Sequence, residues 1–205
     1  MGIITEISQQ KNKKRVNIFV DGEFRSGLGI ETAIKFGLKS GKVIEDKELE
    51  EIIVESETKS AFDVALNYLS LTPKSKYEVK QKLFKKGYSA DVIDIALQKL
   101  EEYHYIDDES YARVYIDSIS KKSKKEIERK LRIKGISKDI IDEIMCNYDD
   151  SNEESTATEY AKKYVRNKSI DEKTLKNLIA NLMRKGYSYD LSYTIMQKIK
   201  HGEEI

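Results

Sequence analysis

Three stretches of the chain follow one pattern: "KKGYSADV" (85–92), "IKGISKDI" (133–140) and "RKGYSYDL" (184–191). Each reads as the end of one helix followed at once by the start of the next. Lys86, Lys134 and Lys185 place a positive charge in a last helical turn, where the macrodipole is negative. Gly87, Gly135 and Gly186 can take the left-handed conformation that closes a helix. Two residues on, Ser89, Ser137 and Ser188 offer N-cap hydroxyls, and Asp91, Asp139 and Asp190 bring a carboxylate into the next first turn. A helix-to-helix joint written three times confines the chain to a tandem helical array.

The spacing supports repetition, since Gly87 and Gly135 lie 48 residues apart and Gly135 and Gly186 lie 51 apart. Before each glycine an apolar pair at i, i+4 marks one face of a helix: Val79 and Leu83, Ile127 and Leu131, Leu178 and Leu182. "SKYE" (75–78) and "SKKE" (123–126) are capping boxes that start the first two of these helices. The third box would be "SIDE" (169–172), a few residues early, so that helix starts sooner or caps at Thr174. An earlier helix precedes each, with Ala65, Tyr68 and Leu69 matching Ala112, Tyr115 and Ile116, then Ala161, Tyr164 and Val165. Every unit therefore has three helices, in repeats expected at 59–106, 107–152 and 153–205.

Residues 1–58 read differently, as an extension. "GIITEIS" and "RVNIFVDGEFRSGL" alternate apolar with polar residues, and Asp21-Gly22 is a strong hairpin signal, giving two or three short antiparallel strands. "ETAIKFGLKSGKVI" and "DKELEEIIVESE" follow as a short helix, a turn at Gly41 and a second helix.

Charged residues are 36% of the chain, and the single proline, Pro73, stands just before the first capping box, which suits long helices with solvated faces. A net charge of +1 argues against a protein whose first business is coating nucleic acid. Cys146 is the only cysteine, which excludes an internal disulfide and fits a reducing cytoplasm. No apolar run reaches a membrane span, and the N-terminus lacks both the apolar core of a signal peptide and a myristoylation signal.

Catalytic constellations are wanting. His104 and His201 have no partner at metal or triad spacing. "GLGIET" begins like a dinucleotide loop, but Thr32 takes the third glycine position, which favours a plain loop. "DDES" (107–110) gathers three carboxylates that Mg²⁺ would accept, yet its place at a helix start suits capping better. The reading is of a protein that is not an enzyme and needs no cofactor or metal.

What remains is surface. From 121 to 134 eight basic residues face only Glu126 and Glu128, and Lys122, Lys125, Arg129 and Arg132 fall on one helical stripe. In the first unit Lys74, Lys76, Lys80, Lys82, Lys85 and Lys86 oppose Glu78 alone. Asp139, Asp142, Glu143, Asp149, Asp150, Glu153 and Glu154 then oppose only Lys138. Charge is segregated by helix, so stacked basic helices offer a positive strip to an acidic or phosphate-bearing partner. For any single lysine a solvated face is the simpler account. Tyr68, Tyr115 and Tyr164 sit at apolar repeat positions and read as core rather than as base-stacking platforms.

"KSKYEVKQKLFKKGYS", "YIDDESYARVYI" and "KKEIERKLRIKGIS" together resemble the RecX family of recombination regulators, and the likeness continues through the third unit. The resemblance implies a mainly α fold of three tandem three-helix repeats in an elongated curved array, behind a small β-hairpin/α extension. It also implies binding to the RecA filament on single-stranded DNA, with less ATP hydrolysis, strand exchange and coprotease activity. One departure is the loop before the middle helix of the second unit, often glycine-containing in the family and here "SISKKSKK", more basic and expected to be more helical. The surface expected to meet RecA or DNA comprises Lys76, Lys80, Arg113, Lys121, Lys122, Lys125, Arg129 and Arg132, although an ion pair with Asp107 or Asp108 accounts equally well for Arg113. A cytoplasmic monomer with at most weak contact to single- or double-stranded DNA is expected. Two rivals stay open: a helical module that competes for DNA without sequence preference, and a plain helical adaptor for an unrelated protein.

Overall fold

The computed structural model describes residues 1–148 and 150–202, the side chains of 150–152 aside. Asp149, and Asp150 as a side chain, both counted above in the acidic segment, lie outside the described residues. The chain falls into two compact units, Met1–Ile106 and Asp107–Ile205.

The first unit begins with strands β1 (Gly2–Gln9), β2 (Arg15–Val20) and β3 (Glu23–Gly29), helix α1 (Ile30–Lys35) and a two-residue strand β4 (Val43–Ile44). The sheet is antiparallel, in the order β3-β2-β1-β4. Val20 pairs with Glu23 across Asp21 and Gly22, whose φ values of 52° and 85° are those of the expected two-residue hairpin. Ile4, Val16, Ile18, Val20 and Leu28 fill one core with Leu49 and Ile52 from the following helix.

That helix, α2 (Asp46–Leu69), corrects the expected organisation. The second helix of the extension and the first helix of repeat 1 are one continuous rod, running unbroken through position 58. No glycine or proline interrupts 46–69, so nothing local stops it. Its first half packs on the sheet through Leu49 and Ile52, and its second half, through Ala61 and Ala65, packs on α3 (Lys76–Lys85) and α4 (Ala90–Glu102). "GLGIET" is likewise not a loop: its glycines end β3 and its Ile30 opens α1, where alternation and helix periodicity meet without a spacer.

The second unit holds α5 (Asp108–Ser118), α6 (Lys124–Ile133) and α7 (Lys138–Cys146), then α8 (Asp150–Val165), α9 (Glu172–Arg184) and α10 (Tyr189–His201). Each three-helix set has its own core, around Leu83 and Leu97, around Ile127 and Leu131, and around Leu178 and Leu182. The joints form as expected. Gly87, Gly135 and Gly186 have φ of 88°, 77° and 97°, and Ser89, Ser137 and Ser188 accept the amides of Val92, Ile140 and Leu191.

Capping decides where the middle helices start. At α3 both halves of the box are present, Ser75 with the Glu78 amide and Glu78 with the Ser75 amide. At α9 the cap is neither Ser169 nor Thr174 but Asp171, which accepts the Thr174 amide at 2.7 Å and whose carboxyl is thereby held below the usual carboxylate range. Carboxylate at an N-cap gains from the helix dipole as well as the bond, which favours Asp171 over its neighbours. The loop expected to be helical is a turn over 119–123, because Ser123 caps α6 and holds the helix start at Lys124. Replacing Ser75 by alanine is expected to lower stability by about 1 kcal/mol, read as an earlier urea midpoint with an unchanged slope.

Candidate functional site

Helix α6 is oriented from inside. Ile127 and Leu131 are fully buried, and this fixes the rotation that turns Lys125, Arg129 and Arg132 outward. Its neighbours neutralise the expected strip unevenly. Arg132 Nη2 lies 3.3 Å from Glu128, and Lys122 Nζ lies 3.8 Å from Glu126. Among the described residues no carboxylate reaches Lys121, Lys125 or Arg129, so these three cations are free to meet a partner.

The other candidate residues are less available. Lys76 lies 2.8 Å from Glu101 and Lys80 2.9 Å from Asp94, so these two lysines of α3 are bound to carboxylates of α4. Arg113 donates to Glu109 through Nε at 3.1 Å and Nη2 at 2.7 Å, and approaches Glu143 at 4.0 Å. The partners expected for it, Asp107 and Asp108, are not the ones it meets. Asp107 instead caps α5, accepting the amides of Glu109 and Ser110, while Glu109 stands one helical turn from Arg113. The structure thus brings Lys121, Lys122, Lys125, Arg129 and Arg132 together on one element and its approach loop. Lys76 and Lys80 belong to the other compact unit.

Tyr68, Tyr115 and Tyr164 are half-buried, packing one face on their cores and offering the other to ammonium groups. Lys74 and Lys82 lie 5.3 and 5.2 Å from the Tyr68 centroid, Lys134 5.7 Å from that of Tyr115, and Lys168 3.2 Å from that of Tyr164. Cation–π contact occupies the faces that a base would stack on.

One feature of the fold is not visible in the sequence. Between α6 and the third repeat lies a cleft of ≈ 140 Å³, whose walls include Lys121, Lys122, Lys163 and Lys185. Tyr187 forms part of its lining at 5% exposure, and burial, reinforced by the Glu153 and Glu126 carboxylates, pushes its hydroxyl up to about 12. The equivalent Tyr88 of the first repeat bonds Ser60 at 2.8 Å, whereas the Tyr187 hydroxyl has no hydrogen-bond partner among the described residues. The aligned joint places Tyr88, Ile136 and Tyr187 at one position, but only the fold shows that Tyr187 faces lysines.

The raised value has a stability consequence. A tyrosine that holds its proton to higher pH when folded adds stability fully present below the ordinary value near 10 and lost as pH rises from there to about 12. The stability difference between the wild type and Tyr187→Phe is expected to shift by ~2–3 kcal/mol across that window, against the wild type, in urea titrations at fixed pH.

Comparison with known proteins agrees with this architecture. Residues 2–45 match the regulatory protein RecX N-terminal domain, and residues 61–100 match the RecX first three-helix domain. Most of the N-terminal segment 1–58 is thus itself a family domain. The regulatory protein RecX of Clostridium perfringens (strain SM101 / Type A) is 35% identical over 99% of both chains. That of Bacillus subtilis (strain 168) is 33% identical over all of this chain and 80% of its own length. A crystal structure of regulatory protein RecX superposes with a TM-score of 0.71 at 25% identity, covering 96% of this chain and 100% of the other. A second, of RecX from Lactobacillus salivarius, gives 0.65 at 28% identity over 70% of this chain and 97% of its own. Full-length identity at this level, family domains at the N-terminus and first repeat, and the same fold lead to one conclusion: the chain belongs to the RecX family of regulatory proteins.

Proposed function

We propose that the protein binds the RecA recombinase filament on single-stranded DNA and restrains it, lowering ATP hydrolysis, strand exchange and coprotease activity. The observation that carries the reading is the outer face of α6, where Lys125 and Arg129 stand exposed with no carboxylate partner among the described residues while Ile127 and Leu131 seat the helix beneath them. Preformed cations of this kind meet acidic protein surface or DNA phosphate without first breaking an internal pair. Lys76, Lys80, Arg113 and Arg132 enter as a second rank, since each must exchange a carboxylate for the partner. Repeats with separate cores supply several modest contacts, which add through effective concentration. The action is that of a cytoplasmic monomer without cofactor, and no helix of the described residues is long and apolar enough to cross a membrane.

Cosedimentation tests this. With filaments locked by a non-hydrolysable ATP analogue, the protein is expected in the pellet at ratios well below one per recombinase. Protein left in the supernatant while the filament pellets would refute direct binding.

A second reading, competition for DNA, is favoured by the lysine-walled cleft beside α6. It requires tight binding to bare DNA with a steep fall in rising salt.

A further inference from the structure

We propose that the cleft between the second and third repeats is a phosphate-binding site, taking a phosphodiester of a nucleic-acid backbone or a free phosphate. The assignment goes beyond the filament reading and does not need it, because the site is defined by this chain alone.

Three elements converge on it. Lys121 comes from the turn before α6, Lys163 from the last turn of α8, and Lys185 caps α9. Four ammonium groups face two carboxylates, and the pairing is incomplete. Lys122 lies 3.8 Å from Glu126 and Lys163 3.7 Å from Glu159, while Lys121 and Lys185 reach no carboxylate among the described residues. Lys185 instead stands 5.0 Å from the Tyr160 ring centroid, a contact that positions the ammonium and leaves its protons for a ligand.

The Tyr187 side chain is a donor in search of an acceptor. It is 5% exposed, it is part of the lining, and its hydroxyl makes no hydrogen bond among the described residues. The ring is buried while the hydroxyl opens on the cleft, where a ligand or water is its available partner. Two unpaired ammonium groups and one such hydroxyl in a small concavity match an anion with several oxygens, which is the chemistry of phosphate. The walls are held in place independently of any ligand. Ser123 Oγ donates to the Lys185 carbonyl at 2.6 Å, and the Lys124 amide donates to Glu153 at 2.9 Å.

The test uses the full chain and no recombinase. ¹H–¹⁵N spectra are recorded during titration with inorganic phosphate, and separately with a short oligothymidylate, at ionic strength held constant with chloride. Saturable shifts concentrated at 121–126, 159–163 and 185–187 are expected. The Lys121→Glu/Lys163→Glu double variant is expected to weaken binding by about tenfold or more, Tyr187→Phe by a few-fold, and Lys47→Glu on α2 not at all. Oligothymidylate binding tighter than phosphate assigns the site to a nucleic-acid backbone, and equal or weaker binding assigns it to a free anion. Shifts spread evenly over the lysines of both units, no saturable binding of either probe, or undiminished binding by a folded double variant would each overturn the assignment. If the double variant does not fold, the wild-type shift map decides alone.

Discussion

Changing Lys125, Arg129 and Arg132 together to glutamate is expected to abolish the proposed restraint of RecA ATP hydrolysis, with helical content and melting temperature nearly unchanged. The three side chains are exposed, and the residues that seat the helix, Ile127 and Leu131, lie on its other face. The folded state therefore loses only the surface pair of Arg132 with Glu128, a contact of a kind that contributes little. Binding loses three cations and gains three anions, turning attraction to an acidic or phosphate surface into repulsion. A fall in filament affinity on the order of a hundredfold or more follows from losing charge-assisted contacts and electrostatic steering together. Circular dichroism and a steady-state ATPase assay separate the two outcomes. Undiminished restraint by the triple variant would remove the face of α6 from the account.

The second large effect concerns the fold. Gly87 and Gly186 occupy the same place in the repeated joint, with φ of 88° and 97°, so alanine is strained at either one. Their surroundings differ. A β-carbon on Gly87 meets nothing within 4 Å, whereas one on Gly186 would lie 2.6 Å from Ser123 Oγ and 3.2 Å from Lys125 Cβ. Ser123 is 1% exposed, and its hydroxyl both accepts the Glu126 amide at 3.2 Å and donates to the Lys185 carbonyl, so it has no freedom to retreat. Gly87→Ala is expected to cost ~1–2 kcal/mol from backbone strain alone, and Gly186→Ala a further ~1–3 kcal/mol from overpacking. Urea unfolding of the two variants side by side checks this. Equal losses would mean that the third joint is not locked against the second repeat as described.

Much of this architecture is legible in the sequence because helix ends are local chemistry. A lysine, a left-handed glycine and a capping serine within four residues specify a joint whatever surrounds it, and all three copies form. The apolar pairs that face each core are equally local, and all six residues are fully buried. The failures share a cause. The continuity of α2 is invisible because a helix without a stop signal carries no mark where its packing partner changes from the sheet to α3 and α4. Strand β4 is too short to show alternation and exists because β1 offers Gly2 and Ile3 as partners. Counting charges along the chain placed Lys76, Lys80, Lys125 and Arg129 in one class, but only tertiary structure shows that Asp94 and Glu101 neutralise the first two. Tyr187 and Lys163 are silent in sequence for the same reason, since their neighbours come from other helices.

The most direct measurement is ATP hydrolysis by cognate RecA on single-stranded DNA, titrated with this protein at near-physiological salt, alongside its binding to the same DNA without RecA. The account predicts inhibition at well below one molecule per RecA, under conditions where bare DNA is hardly bound. Inhibition that appears only as the DNA itself becomes saturated would contradict it and identify competition for DNA as the mechanism.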